Sequence, residues 1–245
     1  MPGMLDVGLV LVFAVAWPLL EYFWVWPNHV RAVERGDPDA RSRAYSRTIL
    51  EQWVLAAVVI ALTLAHGRSF ATLGLRGLEG WRLWLGVALP VAYLLLIVQQ
   101  SRALAAKPET RARLKTKLEP LRALIPYTSR EIRLFIPLSI TAGICEELLF
   151  RGYLVWVLQS WIGLWPAAIA SMGVFGLGHA YQGAKFGIRA FWAGVGMGLL
   201  AIATGSIVPG MVLHALIDVG SGWILYSVVR DSDGPSAEPA AMGAV

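Results

Sequence analysis

The chain has 245 residues, of which 57% are hydrophobic. Only 15% are charged, against roughly 25% in soluble domains. The net charge of +5 could suggest a nucleic-acid partner, but the basic residues lie in short loops between apolar runs, which favours a membrane protein and excludes nucleic acid. The single cysteine, Cys145, excludes an intrachain disulfide, and we expect it to be a small buried residue rather than a nucleophile.

Seven long apolar segments follow one another, each close to the ~20 residues that cross a bilayer as a helix. Helices are required, since lipid cannot satisfy exposed backbone groups. The sequence therefore predicts an all-α, polytopic transmembrane helix bundle with about seven to eight spans. We expect the first segment to be a retained span and not a cleaved signal peptide, because no basic stretch precedes it. The segments are Leu5–Trp26, Ile49–His66, Trp81–Gln100, Ile132–Leu158, Trp161–Gly178, Gly187–Thr204 and Ile207–Val229.

The loops predict the orientation. With the N-terminus outside, loops 27–48, 101–131 and 180–189 and the C-terminal tail are inside. These regions carry sixteen Lys and Arg residues, whereas the outside loops carry three. By the positive-inside rule the C-terminus is cytoplasmic, in a membrane that we expect to be a prokaryotic plasma membrane.

The predicted domains are N-terminal helices with basic loops (1–125), a catalytic helical core (126–229) and a disordered tail (230–245). The charged stretch Lys107–Tyr127 is either a short surface helix before Pro120 or a solvated loop.

The fourth segment contains two adjacent carboxylates and an arginine. Ionisable groups in a span cost roughly 2.5–3.5 kcal/mol each on insertion scales, which indicates a function. Glu147 and Arg151 are four residues apart and can pair on one helix face. Glu146 is turned ~100° away and is left for other chemistry, such as that of a general base. The alternative is that all three form a structural ionic lock.

Two histidines follow, each with a partner one helical turn away. Phe175 shares a face with His179, and His214 shares one with Asp218. Either pair could instead be structural or interfacial. Three glycines beside the first histidine, at 173, 176 and 178, would let another helix or a substrate approach closely.

Other polar residues receive no catalytic role. Glu21 is expected to cap or snorkel near the interface, and His29 and His66 are expected to be interfacial.

The three motifs together resemble those of the CAAX-processing and bacteriocin-processing family of intramembrane proteases (CPBP family), which includes the type II CAAX prenyl endopeptidases. They are Glu146-Glu147-x-x-x-Arg151, Phe175-x-x-x-His179 and His214-x-x-x-Asp218, and the likeness extends over about Pro126–Ser227. The first half of the chain contributes only hydrophobic character.

The resemblance implies a membrane-embedded endopeptidase in which Glu146 and His179 activate water. His214 and Asp218 would form the pair that stabilises the oxyanion, although many members have Asn where this chain has Asp218. Glu147, Arg151 and Phe175 would support the site.

Two chemical questions stay open at this point. A metal-free mechanism is preferred, but a zinc ion could be held by Glu146, His179, His214 and Asp218. In addition, His179 lies only six residues from Lys185, at most ~9 Å deep, whereas Glu146 lies ~20 Å from the cytoplasmic end. Either the fifth span continues beyond Gly178, or the turn after it re-enters the bilayer.

We expect a peptide or lipidated-protein substrate, processed in a CAAX-type or propeptide and bacteriocin reaction. The alternative is a non-catalytic immunity or scaffold protein that uses the same buried polar network. A third hypothesis is a transporter, which we disfavour because no inverted repeat is apparent in the sequence.

Overall fold

The computed structural model of the chain describes residues 1–105, 109, 114 and 121–230. These residues form seven long helices and no strand, so the all-α prediction is confirmed. In chain order the helices are α1 (Met4–Glu34), α2 (Ala40–Ala65), α3 (Gly80–Ala105), α4 (129–162), α5 (Leu164–Gly178), α6 (Ala184–Thr204) and α7 (Val208–Arg230).

Five of these helices are long and apolar enough to cross a membrane: α1, α2, α3, α6 and α7. The predicted seven to eight spans are therefore not confirmed. Helix α4 carries Glu146, Glu147 and Arg151 in its apolar part, and α5 has only 15 residues. Five apolar helices still make the chain a multi-pass integral membrane protein.

The helices extend beyond the apolar segments that the sequence marks. Most of the predicted loop 27–48 is helical, and only residues 35–39 connect α1 to α2. This connection is held by ion pairs from Arg43 to Asp37 and from Arg130 to Asp39, the latter at 2.6 Å. Hydrogen bonds from the Arg43 guanidinium and the Asp39 N–H keep the pKa of the Asp37 carboxyl below its usual range.

Polar contacts near the helix ends join the helices at each of the two ends of the bundle. At one end the imidazole of His29 hydrogen-bonds the carbonyl of Ala123 at 2.9 Å, and Arg41 pairs with Glu131 at 3.4 Å. The predicted basic loop 27–48 and the described part of loop 101–131 therefore meet at this end. The stretch before Pro120, for which a surface helix or a loop was predicted, lies outside the described residues except at 109 and 114. The tail from 231 to 245 also lies outside them.

At the opposite end, a buried carboxylate of the first helix pairs with an arginine of the connection after α2. Asp6 is fully buried and accepts two hydrogen bonds of 2.7 Å from Arg68. The hydroxyl of Tyr153 donates a third to the same carboxylate at 2.7 Å, and the guanidinium of Arg68 lies 4.4 Å from the ring of Trp156. These contacts join α1 to α4 through the connection that follows α2.

The apolar core lies between α1, α2 and α4. Cys145 is fully buried there and forms no disulfide, as expected for a small core residue. Helices α4 and α7 approach very closely at Gly143, where a Cβ would lie 2.7 Å from the backbone nitrogen of Ala215 and the carbonyl oxygen of Met211. This close approach brings the acidic part of α4 against the histidine of α7.

Candidate active site

The backbone of α4 changes its winding at the acidic motif. Residues Ser129–Glu146 are α-helical, Glu147–Leu154 form a π-helical segment, and Val155–Ile162 are α-helical again. Such π segments occur frequently at functional sites. The change begins between the two adjacent glutamates and helps to direct them to different partners.

Glu147 is buried between two basic side chains, Arg151 and His214. Its Oε1 lies 3.0 Å from the Nη1 of Arg151, which confirms the predicted pairing along one helix face. The same oxygen also lies 3.0 Å from the Nδ1 of His214, on α7. The side chain of Glu147 has no exposed surface, so it is a structural counter-ion and not a group open to a substrate.

Glu146 points elsewhere, as the helical geometry predicted, and its side chain is 15% exposed. Its Oε1 accepts a hydrogen bond of 2.7 Å from the Nε2 of Gln52, on α2. Its Oε2 has no hydrogen-bond partner among the described residues and lies 3.8 Å from the Nε2 of His214. One oxygen of this carboxylate is therefore held, and the other faces the imidazole.

His214 stands between three carboxylates. Its Nδ1 contacts Glu147, and its Nε2 lies 3.8 Å from Glu146 and 3.7 Å from the Oδ2 of Asp218. Asp218 is one turn further along α7, on the face predicted, and its side chain is 36% exposed. The Nδ1 proton is committed to Glu147, because a carboxylate can only accept. The Nε2 atom lies toward Glu146 and Asp218, which line the cavity, whereas His214 itself is buried behind them.

His179 is fixed by its own helix end. Its Nδ1 lies 2.8 Å from the carbonyl oxygen of Phe175, and the rings of these two residues are 4.6 Å apart. A carbonyl only accepts, so Nδ1 carries the proton, and the Nε2 of the neutral ring is an acceptor. Phe175 also contacts the ring of His214 at 5.9 Å and lies beneath the guanidinium of Arg151 at 4.1 Å. This phenylalanine therefore links all three motifs.

The open groups face one cavity of about 400 Å³. Its wall includes Glu146, His179 and Asp218, so the structure brings these predicted residues together. The cavity is lined largely by apolar side chains, which suits a peptide with apolar residues. It extends from the site toward the end of the bundle that contains His29 and Ala123.

The structure tests one of the two explanations for the difference in depth between the predicted site residues, and the other, a turn that re-enters the bilayer, stays a prediction. Helix α5 ends at Gly178 and does not continue, so the first alternative is wrong. A short turn at Ala180–Gln182 follows, and it packs against Glu21–Val25 in the interior of α1, where Tyr181 contacts Trp26. The residues of this turn are half-buried, and His179, which precedes it, lies in the cavity wall together with Tyr181 and Gln182.

Of the three glycines beside His179, Gly176 makes the predicted close approach. A Cβ on Gly176 would lie 2.8 Å from Phe191 of α6, whereas one on Gly173 would meet nothing within 4 Å. A Cβ on Gly178 would reach only Pro18, at 4.0 Å.

Sequence reasoning missed a polar strip that α1 and α2 contribute to the cavity wall. Arg47 pairs with Glu21 at 3.0 Å and with Glu51 at 3.2 Å, and Gln52 follows directly. Glu21 is therefore part of an ion-pair network and not an isolated interfacial residue. The four-residue spacing of Arg47 and Glu51 was the available signal.

A zinc site is not formed by the residues proposed for it. No group of three or more His, Cys, Asp or Glu side chains within the described ranges is arranged to hold a metal ion. The Nδ1 atoms of His179 and His214 are engaged by a backbone carbonyl and by Glu147, so only their Nε2 atoms could bind an ion, and the described residues do not bring these atoms and the two carboxylates together as a metal-binding group.

A multi-pass membrane protein with a buried carboxylate–histidine cluster beside an apolar cavity is the class that this fold and site define. Residues 128–220 match the family model described as Type II CAAX prenyl endopeptidase Rce1-like. This segment contains all three motifs, and the match confirms the resemblance to CAAX-type intramembrane proteases. Neither the curated proteins nor the solved structures include a match to the chain.

Proposed function

We propose that this protein is an intramembrane endopeptidase that hydrolyses a peptide bond with water activated by Glu146 and His179. The observation that carries the proposal is the division between the two adjacent glutamates. The side chain of Glu147 has no exposed surface and lies against Arg151 and His214, whereas the side chain of Glu146 is 15% exposed and forms part of the cavity wall.

The two acceptors suit a water nucleophile. Glu146 takes one proton from water, and the Nε2 of His179 accepts the second O–H bond and orients the oxygen. The hydroxide formed attacks the carbonyl carbon of the substrate, and the C=O π electrons move to its oxygen. The proton on Glu146 then passes to the leaving amine as the C–N bond breaks.

The developing oxyanion needs a donor in a site of low dielectric constant, and His214 is the candidate. Because its Nδ1 proton is bound to Glu147, its Nε2 can donate only when the ring is an imidazolium. The surrounding carboxylates favour that positive charge. Asp218, 3.7 Å from the Nε2, supports His214, whether or not it also contacts the substrate.

The substrate is a peptide or a lipidated C-terminus presented from the membrane. Prenylated CAAX sequences are the substrates of the family that the chain matches, and propeptide or bacteriocin processing is the other candidate task. The apolar lining of the cavity is compatible with both. We propose a cytoplasmic C-terminus. The end of the bundle that contains His29 and Ala123, toward which the cavity extends, would then face the cytoplasm.

The test is cleavage by purified protein in detergent. The probes are quenched-fluorescent peptides that end in Cys, two aliphatic residues and a variable residue, with and without a farnesyl group, each assayed with and without EDTA. We expect wild-type cleavage and, for Glu146→Gln, a loss of at least 100-fold, which is the low end of what a general base contributes, given as about 10²–10⁴-fold.

The matched control is Glu79→Gln, the same chemical change at an exposed position in the connection before α3. It should retain full activity. Unchanged cleavage by Glu146→Gln would refute the enzyme and favour the alternative of a non-catalytic immunity or scaffold protein.

A further inference from the structure

Among the residues that the structure describes, the carboxylate of Glu146 has one hydrogen-bond partner, and it comes from outside the segment that matches the protease family. That partner is Gln52, in the middle of α2, whereas the family match begins at residue 128. The bond of 2.7 Å links helices α2 and α4 directly at the proposed general base.

We propose that Gln52 is a positioning residue for the general base, which it holds in both of its protonation states. The inference rests on the proposed function of Glu146. Gln52 and Glu146 line the same cavity, and the amide reaches the oxygen that does not face His214. The bond therefore leaves Oε2 free to take a proton from water.

An amide suits this task for a chemical reason. When Glu146 is ionised it only accepts, and the amide N–H of Gln52 donates to it. When Oε2 has taken the proton from water, Oε1 becomes the carbonyl oxygen of the carboxylic acid and still accepts from the same amide N–H. The bond therefore persists through the proton transfer without any rotation of the amide.

A neighbouring contact supplies a matched control. Trp53, the next residue of α2, donates from its Nε1 to the Oγ1 of Thr141 on α4 at 3.1 Å. This bond joins the same two helices but touches neither Glu146 nor the cavity. Gln52→Met and Trp53→Phe each remove one hydrogen bond between these helices and keep most of the side-chain volume.

The experiment is steady-state cleavage of the farnesylated quenched peptide by wild type and both variants, with thermal unfolding of each. A hydrogen bond to a charged group is worth about 1.5–3 kcal/mol, so we expect Gln52→Met to lower kcat roughly 10- to 100-fold. KM should be little changed, because the interaction acts on the base and not on substrate binding. Trp53→Phe removes a bond between neutral groups, so it should keep the wild-type kcat and lose some thermal stability, though less than Gln52→Met.

A second measurement separates positioning from general structural damage. In the Glu146→Gln background, measured in single turnovers with enzyme in excess, Gln52→Met should cause no further loss, since its effect passes through the carboxylate. A further loss of the same size in that background would overturn the proposal.

Different experimental results would refute the role of Gln52 and the endopeptidase function. Wild-type kcat in Gln52→Met, together with loss of cleavage in Glu146→Gln, would refute the role of Gln52 and leave the endopeptidase intact. Full activity of Glu146→Gln, or no cleavage of any probe by wild type, would refute both.

Discussion

The two adjacent glutamates should respond differently when each is changed to glutamine: the change at Glu147 should lower thermal stability, and the change at Glu146 should remove activity at near wild-type stability. Glu147→Gln removes the counter-ion of Arg151, whose side chain is 3% exposed. Breaking a buried ion pair by removing one partner costs about 3–5 kcal/mol, because the other charge is left uncompensated. For a chain of this size each kcal/mol shifts Tm by roughly 2–4 °C, so we expect a fall of about 6–20 °C.

The assay is thermal unfolding in detergent, followed by tryptophan fluorescence. Glu146→Gln leaves the Glu147–Arg151 pair intact and should unfold near the wild-type temperature while losing activity. The double variant Glu147→Gln/Arg151→Met removes both charges and keeps an apolar side chain against Phe175, so it should recover most of the lost stability. Wild-type stability in Glu147→Gln, or a double variant no better than the single, would refute the assignment of Glu147 as a buried counter-ion.

Two further predictions concern α7 and its contacts. Gly143→Ala forces α4 and α7 apart and should cost about 1–3 kcal/mol and reduce cleavage, because it displaces the helix that carries His214. Gly173→Ala, whose Cβ would meet nothing within 4 Å, is the control and should be neutral or slightly stabilising; equal losses in the two variants would contradict the close-contact argument. Asp218→Asn should retain cleavage within about tenfold, because an amide can still support the His214 ring, while Asp218→Leu should lose far more. Equal inactivity of Asn and Leu in kcat/KM measurements would show that the carboxylate itself is needed.

The sequence was sufficient for contacts along one helix. The spacing of four predicted the pairs Glu147–Arg151, Phe175–His179 and His214–Asp218, and all three are in contact. These pairs follow from helix periodicity alone.

Contacts between helices could not be predicted in the same way. The spacing left Glu146 unpaired, yet Gln52 hydrogen-bonds it, and His214 bonds to Glu147 and not to Glu146. Such contacts depend on helix rotation and distance, which a single sequence does not encode in its periodicity. The number of spans was also unconfirmed, since the polar groups of the site lower the apolarity of α4.

The turn at Ala180–Gln182 bears on how the proposed peptidase could act on a polypeptide within a membrane. A substrate that spans the membrane as a helix must unwind before water can reach its carbonyl carbon. Hydrocarbon opposes this unwinding, because it cannot hydrogen-bond the freed backbone groups. Because the turn packs against Glu21–Val25 of α1, non-helical backbone lies beside the cavity there, and its N–H groups at Gln182 and Gly183 are hydrogen-bonded inside the turn itself. A polypeptide unwound by the proposed peptidase would therefore have to bond to polar side chains of the cavity wall, such as Gln182, and not to the backbone of the turn.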